Sequence, residues 1–77
     1  DLGDKVRQLQ EQLDAISSVY TAIPDISPDG IYGPATAEAV RKFQSIFGLP
    51  QTGVVYFATW YKISHIYVGI TRIAELS

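Results

Sequence analysis

The chain has 77 residues, enough for one small domain with a thin core. It contains no cysteine, which excludes disulfides and cysteine-based zinc sites, and its net charge of −2 excludes a strongly basic nucleic-acid binder. The apolar fraction of 47% is too high for a disordered chain, yet no apolar run is long enough to span a membrane. Because the chain lacks methionine, even at position 1, we expect a mature product or a piece excised from a larger protein.

The first predicted helix runs from Asp4 to about Val19, and the pair Gly3-Asp4 is expected to cap its start. Its apolar residues recur with helical spacing on one face: Val6, Leu9, Leu13 and Ile16. The stretch 21–33 follows and is predicted to be loop, because it holds two prolines and two glycines.

A second helix is predicted from Pro34 to about Phe47. Proline suits the first helical position, where its missing N–H costs nothing, and Gly48 and Pro50 are expected to end the helix. The residues predicted to face the core are Ala39, Val40, Phe43, Ile46 and Phe47.

The third segment begins after the turn at 51–53, with a β-branched stretch that could be extended. From about Tyr56 the apolar residues form one helical stripe: Trp60, Ile63, Ile66, Tyr67, Ile70, Ile73 and Ala74. We therefore predict a third helix, although the β-branched content leaves a strand-rich alternative open. The part of this helix beyond Ile63 either breaks near Gly69 and folds back on the first helix, or docks against another chain or domain.

An internal repeat links the first two helices. VRQLQEQL at 6–13 matches VRKFQSIF at 40–47, which suggests two helices related by a pseudo-twofold axis. Gln10 and Gln44 occupy equivalent positions beside the two apolar stripes. Since a partly buried amide must be hydrogen-bonded, we expect each glutamine to hold a neighbouring loop.

The motifs LQxxL, DGxYGPxTxxAVxxFQxxxGL, TGxV and TW together resemble the peptidoglycan-binding domain of the three-helix type, over about Val6 to Ile63. Such domains are appended to cell-wall hydrolases of bacteria and phages. The resemblance implies an all-α, compact three-helix bundle with Gly/Pro-rich turns, a single domain with its core at 4–63 and a C-terminal helical extension at 64–77. It also implies a non-catalytic module that anchors a linked hydrolase on peptidoglycan, outside the cell or in the wall. The chain departs from the family at Tyr56, where aspartate is common.

A wall-binding site needs apolar surface for sugar faces beside a few polar groups. The candidate ligand-binding residues are Asp29, Gly30, Tyr32, Gly33, Thr36 and Gln44, because the DG turn exposes backbone and the start of the second helix favours a carboxylate. Two structural alternatives stay open: Asp29 closes a local turn, and Trp60 belongs to the core.

Neither catalysis nor a cofactor is expected. The chain shows no nucleophile–base set, and 77 residues seldom enclose a water-excluding pocket. Asp25, Ser27 and Asp29 resemble half of a calcium loop, but Thr36 stands where a bidentate glutamate is needed. A lone His65 does not make a zinc site, so no metal is predicted.

A rival function is a structural or assembly domain that reuses this fold. Its basis is the apolar stripe of the third helix, which could support weak self-association through Ile63, Ile66, Tyr67, Ile70 and Ile73.

Overall fold

The computed structural model describes residues 2–76 of the chain, and the side chains of residues 3–73. It contains three helices, α1 (Leu2–Ser17), α2 (Pro34–Ile46) and α3 (Phe57–Leu76), and no strand within the described part. The predicted all-α three-helix fold is confirmed, and the strand-rich alternative for the last segment is wrong. α1 packs against both other helices, more extensively against α3 than against α2.

The ends of α1 differ from those predicted. The helix begins at Leu2, so the pair Gly3-Asp4 lies inside its first turn and not ahead of it as predicted. It ends at Ser17, before Val19, and the hydroxyl of Ser17 donates to the Asp14 carbonyl at 2.6 Å and to the Asp25 carboxylate at 3.0 Å. These bonds tie the end of α1 to the following loop.

Both ends of α2 match the sequence signals. Pro34 occupies the first helical position, and Phe47 is the C-cap. The N–H of Leu49 donates to the carbonyl of Gln44 at 2.8 Å, which is the bond of a Schellman motif around Gly48. The predicted stop after Phe47 is therefore confirmed.

The core lies where the three helices and the first loop meet. Its buried apolar residues are Leu9, Leu13, Ile16, Ile23, Ile26, Ala39, Val40, Phe43 and Ile63. The loop contributes Ile23 and Ile26, whose burial the sequence analysis did not predict. Ile46 was predicted to face the core but is 39% exposed. At 100° per residue it lies at the edge of the face formed by the buried Ala39, Val40 and Phe43.

α3 is continuous through Gly69, so the alternative in which the helix breaks there and folds back on α1 is wrong. Its apolar stripe is used inside the chain: Ile63 is fully buried, and Ile66, Tyr67 and Ile70 pack against the core. Of the five residues considered for self-association, only Ile73 is largely exposed, at 69%. Little of this apolar stripe therefore remains free to contact a second copy of the chain. Ala74, the last residue predicted on the stripe, lies outside the described side chains.

Within residues 2–76, no helix combines the length and the apolar character that crossing a membrane requires.

Buried amides hold the two inter-helix turns. Gln10 is 1% exposed; its Oε1 accepts from the Gly30 N–H, and its Nε2 donates to Asp29, Ile31 and Thr36 at 2.9–3.0 Å. We call this network the Gln10 clasp. It confirms that the first glutamine holds a neighbouring loop.

The Gln44 clasp repeats this arrangement at the second turn. Gln44 is also 1% exposed; its Oε1 accepts from the Thr52 and Gly53 N–H groups, both at 2.9 Å. Its Nε2 donates to the hydroxyls of Thr52 and Thr59 and to the Val54 carbonyl, at 3.0–3.3 Å.

The equivalence of the clasps extends the repeat beyond the two helices. Each of the four residues bound by Gln44 lies 23 positions after one bound by Gln10. The residues of the first turn are Asp29, Gly30, Ile31 and Thr36, and their counterparts in the second are Thr52, Gly53, Val54 and Thr59. The starts of α2 and α3, at 34 and 57, keep the same offset. The domain is thus two overlapping helix–turn–helix copies that share α2.

Removing a clasp should destabilise the domain strongly. Gln44→Ala leaves the N–H groups of Thr52 and Gly53 without their acceptor, so we expect a loss of about 3 kcal/mol in the free energy of unfolding. Urea denaturation followed by circular dichroism measures this loss. Gln8→Ala, at an exposed position of α1, is the matched control, with an expected change below about 0.5 kcal/mol. Equal effects of the two substitutions would contradict the structural role of Gln44.

The start of α3 offers a substitution that should stabilise the domain. The Trp60 N–H donates to the Tyr56 carbonyl at 2.9 Å, which makes Tyr56 the N-cap residue, and its phenol cannot reach the free N–H groups of the first turn. Tyr56 is 62% exposed, so Tyr56→Asp should add about 1 kcal/mol to the free energy of unfolding. Tyr56→Ala supplies no capping oxygen and is the control. If thermal unfolding gave the same melting temperature for both variants, the missing N-cap side chain would not reduce the stability of the domain.

Candidate functional site

A groove runs along α1 beside the two turns, with a volume of about 450 Å³. We call it the α1 groove. α1, the two turns and α3 all contribute to its lining: Lys5, Val6, Leu9, Tyr32, Val54, Val55 and Trp60. The walls are apolar except for the Lys5 ammonium and the polar ends of Tyr32 and Trp60. Such a lining suits a ligand with apolar faces and a negative group.

Tyr32 connects the two turns across this groove. Its hydroxyl donates to the Gly53 carbonyl at 2.5 Å, and its side chain stays 39% exposed. Desolvation raises the pKa of the Tyr32 phenol, while Arg41 acts in the opposite direction with a smaller effect. The phenol therefore remains a neutral donor throughout the physiological pH range.

Gly53 makes this connection possible. Its φ of +72° lies in the left-handed region, which residues other than glycine rarely adopt. A Cβ there would also lie 2.9 Å from the Arg41 guanidinium and 3.3 Å from the Ala37 carbonyl. The turn that carries the groove residues Val54 and Val55 therefore requires glycine at this point.

A second depression, of about 420 Å³, lies at the start of α2, and we call it the α2 hollow. Loop and first-turn residues line it: Asp25, Ile26, Ser27, Asp29, Ile31, Gly33, Pro34, Ala35 and Thr36. Gly33 is the N-cap of α2 and provides no side-chain cap, so the helix presents its N-terminal end here. The carboxylates of Asp25 and Asp29 also line the hollow, and their negative charges repel an anionic ligand.

Asp29 closes the DG turn. Its Oδ1 accepts from the Ile31 N–H at 2.9 Å and from Gln10 Nε2 at 3.0 Å. The bond from Ile31, followed by that from Gln10, lowers the pKa of this carboxyl below its usual value. The alternative that Asp29 closes a local turn of the Asx type is therefore confirmed.

The six residues proposed from sequence do not form one site. Tyr32 lines the α1 groove, whereas Asp29, Gly33 and Thr36 line the α2 hollow. Thr36 is 3% exposed and its hydroxyl accepts from Gln10. Gly30 and Gln44 belong to the two clasps, and Gln44 lies inside the protein.

Most groove residues were missed as site candidates. Val6, Leu9 and Trp60 were predicted on the inner faces of their helices, where Leu9 is buried but Val6 and Trp60 are only half-buried. Lys5 and Val54 carried no motif of their own. For Val6, Leu9 and Trp60 the only signal in the sequence was a position on an apolar stripe. Such a position does not distinguish a residue of a groove wall from a residue at the edge of the core.

Among the described side chains, no group of three His, Cys, Asp or Glu residues is placed to hold a metal ion. The two aspartates of the calcium-like stretch instead accept hydrogen bonds within the protein, Asp25 from Ser17 and Asp29 from Gln10 and Ile31.

These features define a small all-α domain with a surface groove, typical of a binding domain. Residues 3–63 match the family described as "Putative peptidoglycan binding domain", and the chain belongs to this family. The family is one of binding domains rather than of catalytic domains.

Several curated proteins are similar to the chain. An uncharacterized protein in the bpoA1 3' region of Kitasatospora aureofaciens is 42% identical over 84% of the chain and 52% of its own length. The N-acetylmuramoyl-L-alanine amidase CwlA of Bacillus subtilis is 44% identical over 64% of the chain and 18% of its own length. The zinc D-Ala-D-Ala carboxypeptidase of Streptomyces albus G is 39% identical over 79% of the chain and 23% of its own length. The chain thus spans about half or less of these relatives, and no solved structure matches it significantly.

The acid sensitivity of the domain should depend on Asp29. Because the folded pKa of this group is lowered, its carboxylate contributes stability above the unfolded value of 3.8, and that contribution is lost as pH falls through the lower folded pKa. Asp29→Asn keeps an oxygen acceptor for Ile31, so it should flatten the fall in stability between about pH 5 and about pH 2. Urea denaturation across this range measures the change.

The control for this substitution is Glu11→Gln, which removes an acid from an exposed position of α1. This variant controls for the loss of one negative charge elsewhere on the surface. An Asp29→Asn profile as steep as the control would contradict the role assigned to the Asp29 carboxylate.

Proposed function

We propose that this domain is a non-catalytic module that binds peptidoglycan and holds a linked cell-wall hydrolase against its substrate. The family match supports the binding role, and the names of the relatives from Bacillus and Streptomyces support the link to wall hydrolysis. Since the chain matches only a part of each relative, the catalytic part belongs to a separate segment in this proposal. The location that follows is extracellular or within the cell wall.

The observation that carries the proposal is the chemistry of the α1 groove. Peptidoglycan combines sugar faces, short apolar side chains and the carboxylates of stem peptides and muramic acid. The groove offers matching apolar walls and the exposed ammonium of Lys5, with no carboxylate in its lining. The α2 hollow has two carboxylates, which disfavour the anionic parts of the polymer.

Within this proposal the residues divide into contact and positioning groups. Trp60 and Tyr32 provide ring surface for sugar C–H groups, and Lys5 attracts a carboxylate. Gly30 and Gln44 act indirectly, by holding the turns that form the groove wall.

The α2 hollow takes a secondary part in the same proposal. Asp29, Gly33 and Thr36 shape it, and the free acceptor capacity of a carboxylate suits sugar hydroxyls or peptide N–H groups. These hydrogen-bond acceptors would favour a neutral, hydroxyl-rich portion of the polymer in the hollow.

Affinity for a single site should be low, because the groove is shallow and open to solvent. A linked enzyme gains from such weak binding through effective concentration, since the polymer presents the same element many times. Fast release also lets the enzyme move along the wall.

Reversing the charge of Lys5 tests the groove. Lys5→Glu should weaken co-sedimentation with purified peptidoglycan about fivefold at low salt, because an attractive contact becomes repulsive. The fold should persist, since Lys5 is exposed and an acid near the start of α1 favours the helix dipole.

Lys42→Glu is the matched control, because Lys42 is an exposed lysine of α2 outside the groove lining. It should leave binding within about twofold of the unmodified chain. Equal losses in both variants would indicate attraction by net charge alone. Unchanged binding in Lys5→Glu would exclude the groove as the place where an anionic group of the polymer binds.

A further inference from the structure

A second stripe runs along α3, on a side of the helix that the core does not cover. Phe57 is 83% exposed, Tyr61 is 63% exposed and Val68 is 52% exposed, although all three are large and mainly apolar. Ser64 and Thr71, both half-buried, complete the stripe. We call these five positions the outer seam. None of them belongs to the core or to the apolar residues packed against it.

The spacing of the outer seam is that of a helix-pairing surface. Its members follow one another at steps of four, three, four and three residues. These steps average 3.5 residues, the repeat that keeps one row of side chains against a second helix. The solvent side of a helix normally carries charged residues, and the seam has none. Lys62, in the middle of the same stretch, places its ammonium 5.8 Å from the centre of the Phe47 ring and so away from the seam.

The outer seam also contains a hollow of about 250 Å³, which four residues line: Tyr61, Ser64, His65 and Val68. Counted from the first, they stand at positions i, i+3, i+4 and i+7, which are neighbours on a helix surface. Four such residues receive one side chain of the facing helix in knobs-into-holes packing. The seam therefore combines exposed rings with a place that can receive a ring.

The two small polar residues of the seam are already hydrogen-bonded within the chain. The Ser64 hydroxyl donates to Gln12 Oε1 of α1 at 3.3 Å. The Thr71 hydroxyl donates to the carbonyls of Tyr67 and Val68 at 3.0 and 3.1 Å. Since a buried hydroxyl is costly only when it lacks a partner, a facing helix can cover both without that cost.

We propose that the outer seam pairs with the outer seam of a second copy of the chain, the two α3 helices running antiparallel about a twofold axis. Tyr61 of each copy enters the hollow of the other beside Ser64, and Phe57 lies opposite Val68 of the second copy. A large side chain thus meets a smaller one at each level, and every contact occurs twice. A parallel pair would instead oppose Phe57 to Phe57 and Tyr61 to Tyr61. This self-complementarity selects a second copy as the occupant.

The area of the seam predicts a weak dimer. An aromatic side chain buries about 150–250 Å², so two rings with Val68 and Ser64 provide roughly 450 Å² per copy and about 900 Å² in total. Stable interfaces bury about 1,200–2,000 Å². We therefore expect a dissociation constant on the order of 100 μM. The seam shares no residue with the lining of the α1 groove, so this inference does not rest on the proposed function.

Sedimentation equilibrium from about 10 μM to about 1 mM tests the pairing. The average mass should rise with concentration from that of one chain, 8.5 kDa, toward twice that value. Tyr61→Ala should weaken association about tenfold, because the side chain that fills the hollow of the second copy is lost, while alanine preserves the helix. A mass that stays at that of one chain up to the highest concentration would overturn the proposal.

Tyr56→Ala is the matched control, since Tyr56 is as exposed as Tyr61, at 62% against 63%, but lies outside the seam. It should change the dissociation constant less than about twofold. Equal losses in the two variants would overturn the proposal.

Disulfide trapping tests the antiparallel arrangement. The chain contains no cysteine, so a single introduced thiol can pair only with that of another copy. When the variants Phe57→Cys and Val68→Cys are mixed and oxidised, mass spectrometry should find mainly the mixed dimer, because these positions lie opposite each other. Dimers of Phe57→Cys with itself as the main product would indicate a parallel pair and overturn the proposal. A statistical mixture of the three dimers would indicate random collision and overturn it as well.

Discussion

The structure depends on two buried glutamine amides. Gln10 and Gln44 each satisfy both ends of the amide group within one inter-helix turn, and each is almost completely removed from solvent. In a chain with a thin core and no disulfide, loops of this kind would otherwise be the least stable parts. A buried polar group is costly unless it is satisfied, so an arrangement that satisfies every donor and acceptor strongly favours one loop conformation over its alternatives.

The shape of the α1 groove follows from these clasps. The Gln10 clasp orients the DG turn, and the Gln44 clasp orients the TG turn 23 residues later. Tyr32 then reaches from one turn to the Gly53 carbonyl of the other, and the space between them and α1 becomes the α1 groove. The residues proposed to contact a ligand are therefore different from the residues that hold the groove in shape.

α3 combines three roles on different sides of one helix. Ile63 completes the core, Trp60 lines the groove, and Tyr61 stands on the outer surface between two other rings. Successive residues of a helix point about 100° apart, so neighbouring positions in sequence serve separate surfaces. This division explains why α3 reads as apolar nearly all round, a pattern that otherwise indicates a fully buried helix.

The sequence by itself determined the helical class and both ends of α2, because proline at a first turn and glycine after a last turn act within a few residues. It also indicated that the two glutamines hold loops, because the internal repeat places each of them beside an apolar stripe, where a buried amide needs partners. Tertiary structure alone decided the burial of Ile23 and Ile26, the ends of α1 and the continuity of α3 past Gly69. It also decided which candidate residues share a surface, since Lys5, Tyr32 and Trp60 meet only when three separate segments pack together. Such contacts join residues far apart in the chain, and no local pattern records which of them become neighbours.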